Sequence, residues 1–250
     1  EWNGTNWTEV ADLASARNDL GSSGTTTAAL AFGGATPPGI VASTEEWTGP
    51  GAPVGAWSTG GSLNTVRYVL AGSGTQTAAL AFGGYSTPPD TFYAITESYN
   101  GSTWTEVNDL NNNRYDLAGA GTSTSSLAFG GSSPGSPNAV TELWNGSNWT
   151  EVNDLNTARN ALAGVGADNT SALAFGGSAT LTVTESWNGS NWTEVNDLNT
   201  GRRNAAGSGI VTAALAFGGF DGSTRLGNTE VWNGTNWTEV NDLNTGRSGL

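Results

Sequence analysis

The chain has 250 residues and a formal net charge of −14, with 37 Gly and 11 Trp but no His, Cys or Met. Without Cys there can be no disulfide framework, thiolate metal site or Cys nucleophile, and without His the commonest general base is missing. The acidic balance argues against nucleic acid or an anionic membrane as a partner, because both reward basic surfaces. No run of about 20 apolar residues is present that could span a membrane as a helix.

A repeated unit organises the whole chain. Its register is marked by the second Trp of each aromatic pair, and successive copies of this Trp are 50, 47, 45, 43 and 45 residues apart. These residues are Trp7, Trp57, Trp104, Trp149, Trp192 and Trp237. An Arg follows ten residues after each of them. A period near 45 residues is typical of propeller repeats, and repetition favours one domain because each unit buries its apolar face against its neighbours.

Each period predicts four short strands, taken in chain order. The first is rich in small residues, as in 160–165, and glycine there allows close approach of neighbouring backbones. The second is the ALAFGG run, in which Leu30 and Phe32 share one face while Ala29 and Ala31 share the other. The two glycines after it are expected to adopt φ values that other residues resist. No stretch shows convincing helical periodicity.

The third and fourth strands are predicted to form a hairpin, as in 184–187 and 192–195. Asn188-Gly189 between them favours a two-residue type I′ turn with φ > 0 at both positions. Trp187 and Trp192 would then face each other across the hairpin as an aromatic pair. The expected fold class is therefore all-β.

At this point the residues resemble a known family. An apolar strand ending in Gly-Gly, an aromatic such as Trp144, a second Trp such as Trp149 and an Arg before the next strand resemble the kelch repeat. The resemblance covers nearly all of the chain and implies a β-propeller with one four-stranded blade per repeat. The Asn/Thr/Gly-rich, lysine-free composition also resembles kelch-type repeats of phage structural proteins and bacterial surface proteins.

We expect a single β-propeller domain over 1–250, and five blades are favoured over part of a six- or seven-bladed ring. The approximate repeats are 14–63, 64–110, 111–155, 156–198 and 199–243, with partial repeats at 1–13 and 244–250. The second Trp pair departs from the pattern, because TGPGAPVGAW follows Trp47 in place of the Asn-Gly hairpin, and Tyr99 replaces a Trp in the next pair. The absence of Met leads us to expect a processed chain or a fragment.

Repeated residues have a structural interpretation beside a functional one. The Trp series could stack on sugars, but packing between strands is favoured because the register is the same in every repeat. The Arg series could bind an anion, yet an ion pair between blades with the repeated Glu, or with the Asp of the NDL sequence, is favoured by the net acidity. Asn-x-Thr/Ser sequons, such as Asn145 and Asn148, are interpreted as turn residues in the first place, with glycosylation left open.

The loops between the second and third strands differ most between repeats. They carry residues that no repeat requires, and our candidate ligand-binding residues are Tyr85, Phe92, Tyr93, Phe220, Asp221 and Arg225. Variable loops on a rigid scaffold are where binding usually resides, although drift in unselected loops explains them equally well. We predict no catalytic residue, no metal site and no cofactor.

We expect a non-enzymatic protein, extracellular or on a virion, that binds a cell-surface glycan or protein. The alternative is a structural or decoration protein of a phage particle or surface assembly, with other virion or surface proteins as partners and no soluble ligand. Homo-oligomerisation is left open. Copper-radical oxidases among kelch-like propellers imply Cys and His ligands that are absent here, and the S-x-D-x-G-x-T-W turn of sialidase-like propellers is not found.

Overall fold

The computed structural model describes residues 1–49, 55–134 and 136–250, which form strands, turns and loops without a helix. Five antiparallel four-stranded sheets follow one another along the chain. The first strands of successive sheets contact one another around a central axis, and the fourth strands form the rim. The protein is therefore a five-bladed β-propeller, as the sequence predicts.

The blades share one strand order, in which each strand pairs with the next along the chain. Blades 1 to 5, each with its first to fourth strand, comprise Gly21–Gly24, Ala28–Phe32, Thr44–Thr48 and Ala56–Gly60; Ala71–Thr75, Ala78–Phe82, Thr96–Tyr99 and Trp104–Val107; Ala118–Thr122, Ser125–Phe129, Thr141–Trp144 and Trp149–Val152; Ala163–Asp168, Ser171–Phe175, Thr184–Trp187 and Trp192–Val195; Ala206–Ile210, Ala213–Phe217, Thr229–Trp232 and Trp237–Val240.

Three of the loops between second and third strands contain a small ribbon made of two strands of two residues each. They pair Ala35–Thr36 with Gly39–Ile40, Tyr85–Ser86 with Thr91–Phe92, and Ser132–Ser133 with Ser136–Pro137. The insertion predicted after Trp47 lies largely outside the described residues, but Trp47 still pairs with Trp57 at 5.6 Å between ring centroids.

The hydrophobic core lies between blades rather than inside one of them. Leu80 and Phe82, on the large face of blade 2, pack with Ala128 and Trp149 of blade 3, and all four are buried. The Phe82 and Trp149 rings are 5.0 Å apart. The alternation of large and small faces along the ALAFGG strand is therefore used as predicted, because blades 2 to 4 are covered on both sides.

The hairpin differs from its prediction in one respect. Trp187 pairs directly with Trp192, so the loop holds four residues instead of two. Only Gly189 has positive φ there (92°), and the Asn188 side chain accepts bonds from the backbone N–H groups of Ser190 and Asn191, both at 2.9 Å. The type I′ prediction is wrong because the Asn side chain builds an Asx turn that makes a second left-handed residue unnecessary. The predicted Trp pair is confirmed, with ring centroids 5.5 Å apart.

The first strand of blade 4 starts later than predicted, at Ala163 rather than Asn160. The residues before it turn around the axis, where Ala161 has a φ of 52°. The glycine pair behaves as predicted, with φ values of 65° and 99° at Gly33 and Gly34. A side chain at Gly33 would also meet the Arg67 carbonyl oxygen of the next blade at 2.8 Å from its Cβ.

A ring of six backbone hydrogen bonds encircles the axis. Each N–H donates to the carbonyl of the equivalent residue in the preceding position, at 2.8 to 3.0 Å, and each residue has a left-handed φ between 48° and 68°. The six residues, which we call the axial ring, are Asp19, Val69, Asp116, Ala161, Asn204 and Gly249. Five of them precede the first strands of the blades, and Gly249 belongs to the C-terminal residues.

Both terminal segments lie between blade 5 and blade 1. Trp2 and Trp7 form a small hairpin whose Trp7 indole Nε1–H donates to Thr229 Oγ1 of blade 5 at 3.0 Å. At the other terminus, Gly249 donates to Asn204 of blade 5 and accepts from Asp19 before blade 1. We call this region the seam: residues 1–13 and 244–250, with the facing sides of blades 5 and 1.

Candidate binding face

The loop face is built from residues that vary at fixed places in the repeat. The residue after each repeated Arg pairs through its backbone with the residue after the Gly-Gly of the same blade. In blade 2, for example, Tyr68 and Tyr85 exchange two backbone hydrogen bonds of 3.0 Å. These face pairs, in blade order, are Asn18 with Ala35, Tyr68 with Tyr85, Tyr115 with Ser132, Asn160 with Ser178 and Arg203 with Phe220. Each blade thus presents, at the same place in the repeat, two side chains whose identity the blade geometry does not determine.

Blades 2 and 3 place an aromatic shelf on this face. The rings of Tyr85, Phe92 and Tyr115 lie 5.2 to 5.7 Å apart, with interplanar angles of 32° to 38°. Tyr68 packs edge-on against Tyr85 at 5.3 Å. All four are only partly buried, whereas the Trp rings between blades 2 to 5 are covered. Aromatic faces that remain partly exposed offer apolar area together with hydroxyl groups to a ligand.

Hydrogen bonds fix the polar rim of the shelf. The Tyr85 hydroxyl donates to Asp90 Oδ1 at 2.5 Å, which raises the pKa of Tyr85 and lowers the pKa of Asp90. Tyr93 points elsewhere, and its hydroxyl shares a 2.9 Å hydrogen bond with Ser86. The exposed Asp90 carboxylate thus keeps acceptor capacity beside the rings.

A second group lies on blade 5. The Arg203 guanidinium stands 5.1 Å from the centre of the Phe220 ring, and Phe220 also bridges to Arg225 through its backbone. Asp221 accepts hydrogen bonds from the backbone N–H groups of Thr224 and Ser223, which hold its pKa well below the usual range. Its carboxylate is therefore used mainly to build its own turn.

The carboxylates of Asp19 and Asp116 also lie beside the central axis, in the axial ring. The axial-ring residues and the Leu and Ala residues that follow them line a cavity of about 90 Å³. Burial raises the pKa of Asp116 to about 6, the carboxylate of Asp19 adds to the increase, and Arg203 opposes it. Burial also raises the pKa of Asp19. Nowhere in the described ranges do three or more acidic residues converge on a possible metal position.

The repeated Arg residues form no ligand site in the complete blades. Arg114 is fully buried, and its guanidinium donates to Glu142 at 2.9 Å and to the carbonyl oxygens of Ala128, Gly130 and Val140. Burial lowers the pKa of Arg114 to about 10, and Glu142 opposes that change, so the guanidinium stays charged at neutral pH.

The predicted Arg–Glu ion pair exists, but its placement between blades is wrong. Arg114 and Glu142 belong to one blade, because the Arg, which lies four residues before the first strand, reaches the third strand of the same sheet. The NDL Asp has a different use: Asp154 Oδ1 accepts the backbone N–H of Thr141 at 3.1 Å. The carbonyl of Arg114, rather than its side chain, bonds to the preceding blade, where it accepts the backbone N–H of Gly84 at 2.9 Å, and the carbonyls of Arg67, Arg159 and Arg202 bond in the same way.

The sequons are used in turns and between blades. Asn145 accepts the backbone N–H groups of its own turn, and Asn148 Oδ1 accepts the side-chain amide of Asn108 from the preceding blade at 2.8 Å. The Trp series is likewise structural in the covered blades, since Trp149 is 5% exposed and donates to Thr96 of the preceding blade at 3.0 Å.

The predicted site residues fall into two groups. Tyr85 and Phe92 belong to the shelf with Tyr93 beside it, whereas Phe220, Asp221 and Arg225 cluster on blade 5, and no aromatic, ionic or hydrogen-bond contact joins the groups within the described chain. Sequence reasoning missed Tyr68, Tyr115 and Arg203. Their signal was present: the residue after the repeated Arg reads N, Y, Y, N, R and S, although the Arg itself never changes.

No protein-family model matches this chain, and a comparison with curated proteins finds no match either. The fold therefore defines the class of protein: a five-bladed β-propeller of four-stranded antiparallel blades. Kelch-like repeats are compatible with this fold. Within the described residues, no helix is long and apolar enough to cross a membrane.

Proposed function

We propose that this propeller is a non-enzymatic binding module, kelch-like in its repeats and displayed outside the cell or on a virion, whose loop face recognises a cell-surface glycan or protein. The supporting observation is the aromatic shelf. Tyr85, Phe92 and Tyr115 stack with part of their surface exposed, while blades 1 and 4 carry Asn, Ala and Ser in their face pairs.

Sugar rings suit this surface best. The apolar face of a pyranose packs on aromatic rings, and the exposed Asp90 carboxylate beside Tyr85 can accept sugar hydroxyl protons. The rest of the repeat is committed to the fold, because the Trp, Arg and Glu residues of the covered blades are buried and paired. Specificity is therefore assigned to residues that the blade geometry leaves free.

The test is binding of the purified protein to a glycan array and to fixed bacterial cells. We expect Phe92→Ala and Tyr115→Ala each to weaken binding about tenfold, since one lost aromatic contact of about 1.4 kcal/mol corresponds to that factor. Their melting temperatures should stay close to that of the wild type, because both rings are partly exposed. Asn160→Ala and Ser178→Ala, at the face pair of blade 4, are the matched controls.

A structural or decoration role is the second candidate. It is favoured by the almost unchanged WTEV fourth strands, which present the same exposed Thr and Glu side chains at the rim of blades 2 to 5. Copurification with a particle, without binding to the glycan array or to the fixed cells, would favour this role. Equal binding by wild type and both aromatic variants would contradict the shelf as the recognition site.

A further inference from the structure

Three aromatic side chains of blade 2 occupy neighbouring backbone positions on the loop face. Tyr85 pairs across the small ribbon with Phe92, and on its other side it exchanges two backbone hydrogen bonds with Tyr68. Residues that lie directly opposite each other in antiparallel pairs place their side chains on the same face of the sheet. The three rings therefore stand side by side on one surface, with Tyr85 in the middle.

Tyr115 of blade 3 extends this surface. Its ring centroid lies 5.7 Å from that of Tyr85 and 5.3 Å from that of Phe92. The three ring planes differ by only 32° to 38°, so their faces point in similar directions. The face of an aromatic ring carries partial negative charge, and a cation placed over it within about 6 Å is attracted. The shelf therefore offers several such faces to one ligand.

Asp90 adds a full negative charge at the edge of the shelf. It lies in the turn of the small ribbon, it is exposed, and its Oδ1 accepts the Tyr85 hydroxyl at 2.5 Å. This hydrogen bond lowers the pKa of Asp90, so the carboxylate is ionised at neutral pH. An ionised carboxylate has acceptor sites on both oxygens, and one O–H donor does not use them all. Asp90 is thus held beside the rings with room to accept a donor from a ligand.

Two further carboxylates lie close to the shelf. Asp19 and Asp116 are members of the axial ring, separated by one residue of that ring. Burial raises the pKa of Tyr68, and Tyr85 together with the carboxylates of Asp19, Asp90 and Asp116 raises it further. The ion pairs among the described residues are the five Arg–Glu pairs of the blades, and none of them includes these three carboxylates. The shelf therefore lies in a negative field.

Blade 5 has the opposite charge at the same backbone positions. There Phe220 takes the place of Tyr85, and it pairs through its backbone with Arg203 on one side and Arg225 on the other. Both Arg side chains are exposed, and they are the two Arg of the chain that lie outside the repeated series. Burial raises the pKa of Asp116, and Arg203 opposes that rise from the side of blade 5. The positive charge of the variable positions is therefore on blade 5, away from the aromatic rings of blades 2 and 3.

These surroundings define the charge of a ligand that suits the shelf. An acidic sugar would be repelled by the carboxylates, and a neutral sugar would gain nothing from their field. A protonated amine gains from the field, from the ring faces and from a charge-assisted hydrogen bond to Asp90, which is roughly twice as strong as a neutral one. The choice of a saccharide rests on the proposed function, whereas the choice of a positive charge rests on the contacts of the shelf.

We propose that the aromatic shelf binds an amine-bearing sugar, whose protonated amino group donates to Asp90 while its ring packs on Tyr85 and Phe92. N-acetylation of that amino group removes the positive charge and leaves the sugar ring in place. The site therefore discriminates between a free amino sugar and its acetylated form by charge. The Arg residues of blade 5 contribute nothing to this recognition, because they would repel the same ligand.

The test compares two disaccharides that each carry one nitrogen, free-amine lactosamine and N-acetyllactosamine, titrated into the whole protein by calorimetry. At about pH 7 and low salt we expect the free amine to bind about tenfold more tightly, and added salt should reduce the difference. At about pH 9, where an amine of this kind has lost its proton, the difference should disappear. Carboxylates stay ionised over this range, so the loss at high pH reports on the amine of the sugar.

Variants of the protein separate charge from stacking. Asp90→Asn keeps the shape of the side chain and should weaken the free amine about tenfold, while the acetylated form changes less than about twofold. Phe92→Leu should weaken both forms by similar factors, because it removes ring area and leaves the charge. Glu151→Gln is the matched control, since it removes one carboxylate at the exposed rim of blade 3 and should leave both forms unchanged.

Other outcomes overturn the proposal in distinguishable ways. Equal binding of the two disaccharides, or equal losses for both in Asp90→Asn, would show that the shelf does not read charge, and glycan binding would still stand. Equal losses in Asp90→Asn and Glu151→Gln would show attraction to the net charge of the protein instead of a site. If neither disaccharide binds while choline or the peptide Gly-Lys-Gly binds in a way that depends on Asp90, the shelf takes an amine that is not on a sugar, and the proposed glycan function fails with it. Absence of binding by all four probes would show that the shelf is not an amine site.

Discussion

Blade 3 and the seam use the same repeat in different surroundings. In blade 3 the Arg114–Glu142 pair is fully buried, Trp149 is covered, and Gly119 lies against the Phe82 ring of the preceding blade. At the seam, the corresponding residues are the exposed Arg247, the partly buried Trp57 and the exposed Ser22.

The difference shows which parts of the repeat depend on a neighbour. A blade buries its faces only against adjacent blades, so identical residues change role when one neighbour is incomplete. Backbone bonds around the axis persist at the seam, whereas side-chain burial does not. Backbone hydrogen bonds therefore close the ring at the seam, although side chains of blades 5 and 1 stay partly exposed there.

The largest contrast is expected at the ion pair. Glu142→Ala should lower the free energy of unfolding by about 3–5 kcal/mol, because it leaves the Arg114 guanidinium buried without its counter-charge. Arg247→Ala should change that free energy by at most about 0.5 kcal/mol, since the side chain is exposed. Chemical denaturation of both variants measures the contrast. Similar losses in the two would show that the seam is covered in solution.

Glycine at the interface gives the next contrast. Gly119→Ser should cost about 1–3 kcal/mol, because its Cβ would lie 2.6 Å from the Phe82 ring and 2.7 Å from the Gly72 carbonyl oxygen. Ser22→Ala, at the same register of blade 1, should be neutral within about 0.5 kcal/mol. The two free energies of unfolding are compared by urea titration, and a neutral Gly119→Ser would contradict the tight contact between blades 2 and 3.

The axial ring gives a contrast that depends on pH. Burial raises the pKa of Asp116 to about 6, while an unfolded Asp titrates near about 3.9. Between these values the folded protein binds more protons than the unfolded chain, so stability falls as the pH rises. The stabilising contribution is fully present below about pH 4 and is lost as the pH passes about 6.

Asp116→Asn should therefore be more stable than the wild type at pH 8 by about 1–2 kcal/mol, and the difference should vanish near pH 4. Unfolding free energies measured from pH 4 to pH 8 test this. Asp19→Asn, on the seam side of the ring, should act in the same direction, since burial raises that pKa too. A stability difference that is independent of pH would contradict the buried carboxylate.

The sequence predicted those features whose cause is local chemistry. Alternation in ALAFGG determines the large and small faces, and two consecutive glycines indicate left-handed backbone, as Gly33 and Gly34 confirm. The Trp187–Trp192 pair follows from hairpin pairing alone. These predictions need no knowledge of neighbouring blades.

Features that depend on assembly escaped the sequence. Val69 and Ala161 adopt left-handed φ without the usual Gly or Asn, because the axial hydrogen bonds stabilise them there, so no residue type indicated the ring. The shelf also escaped in part: Tyr115 reaches Tyr85 from the next blade, and that contact requires the angle between blades. The placement of the Arg–Glu pair within one blade also escaped the sequence, because it depends on how far the Arg114 side chain extends over its own sheet to reach Glu142 of the third strand.

The smallest effect is expected at two equivalent residues, Asn153 and Asn241, whose side-chain amides each donate to the hairpin beside their own blade. This effect separates the attachment of a segment from the stability of the ring. Asn153→Ala and Asn241→Ala each remove two exposed side-chain hydrogen bonds, so each should cost about 0.5–1.5 kcal/mol at most. Asn153 holds a hairpin that is covalently part of the next complete blade, and the loss should appear in global unfolding. Asn241 holds residues 1–13, which can detach while the five blades remain folded. Limited proteolysis should therefore cleave the terminal hairpin faster in Asn241→Ala than in Asn153→Ala, whereas the melting temperature should fall in Asn153→Ala and stay close to that of the wild type in Asn241→Ala. Equal cleavage rates would mean that the terminal hairpin is held by Trp7 and Thr229 alone.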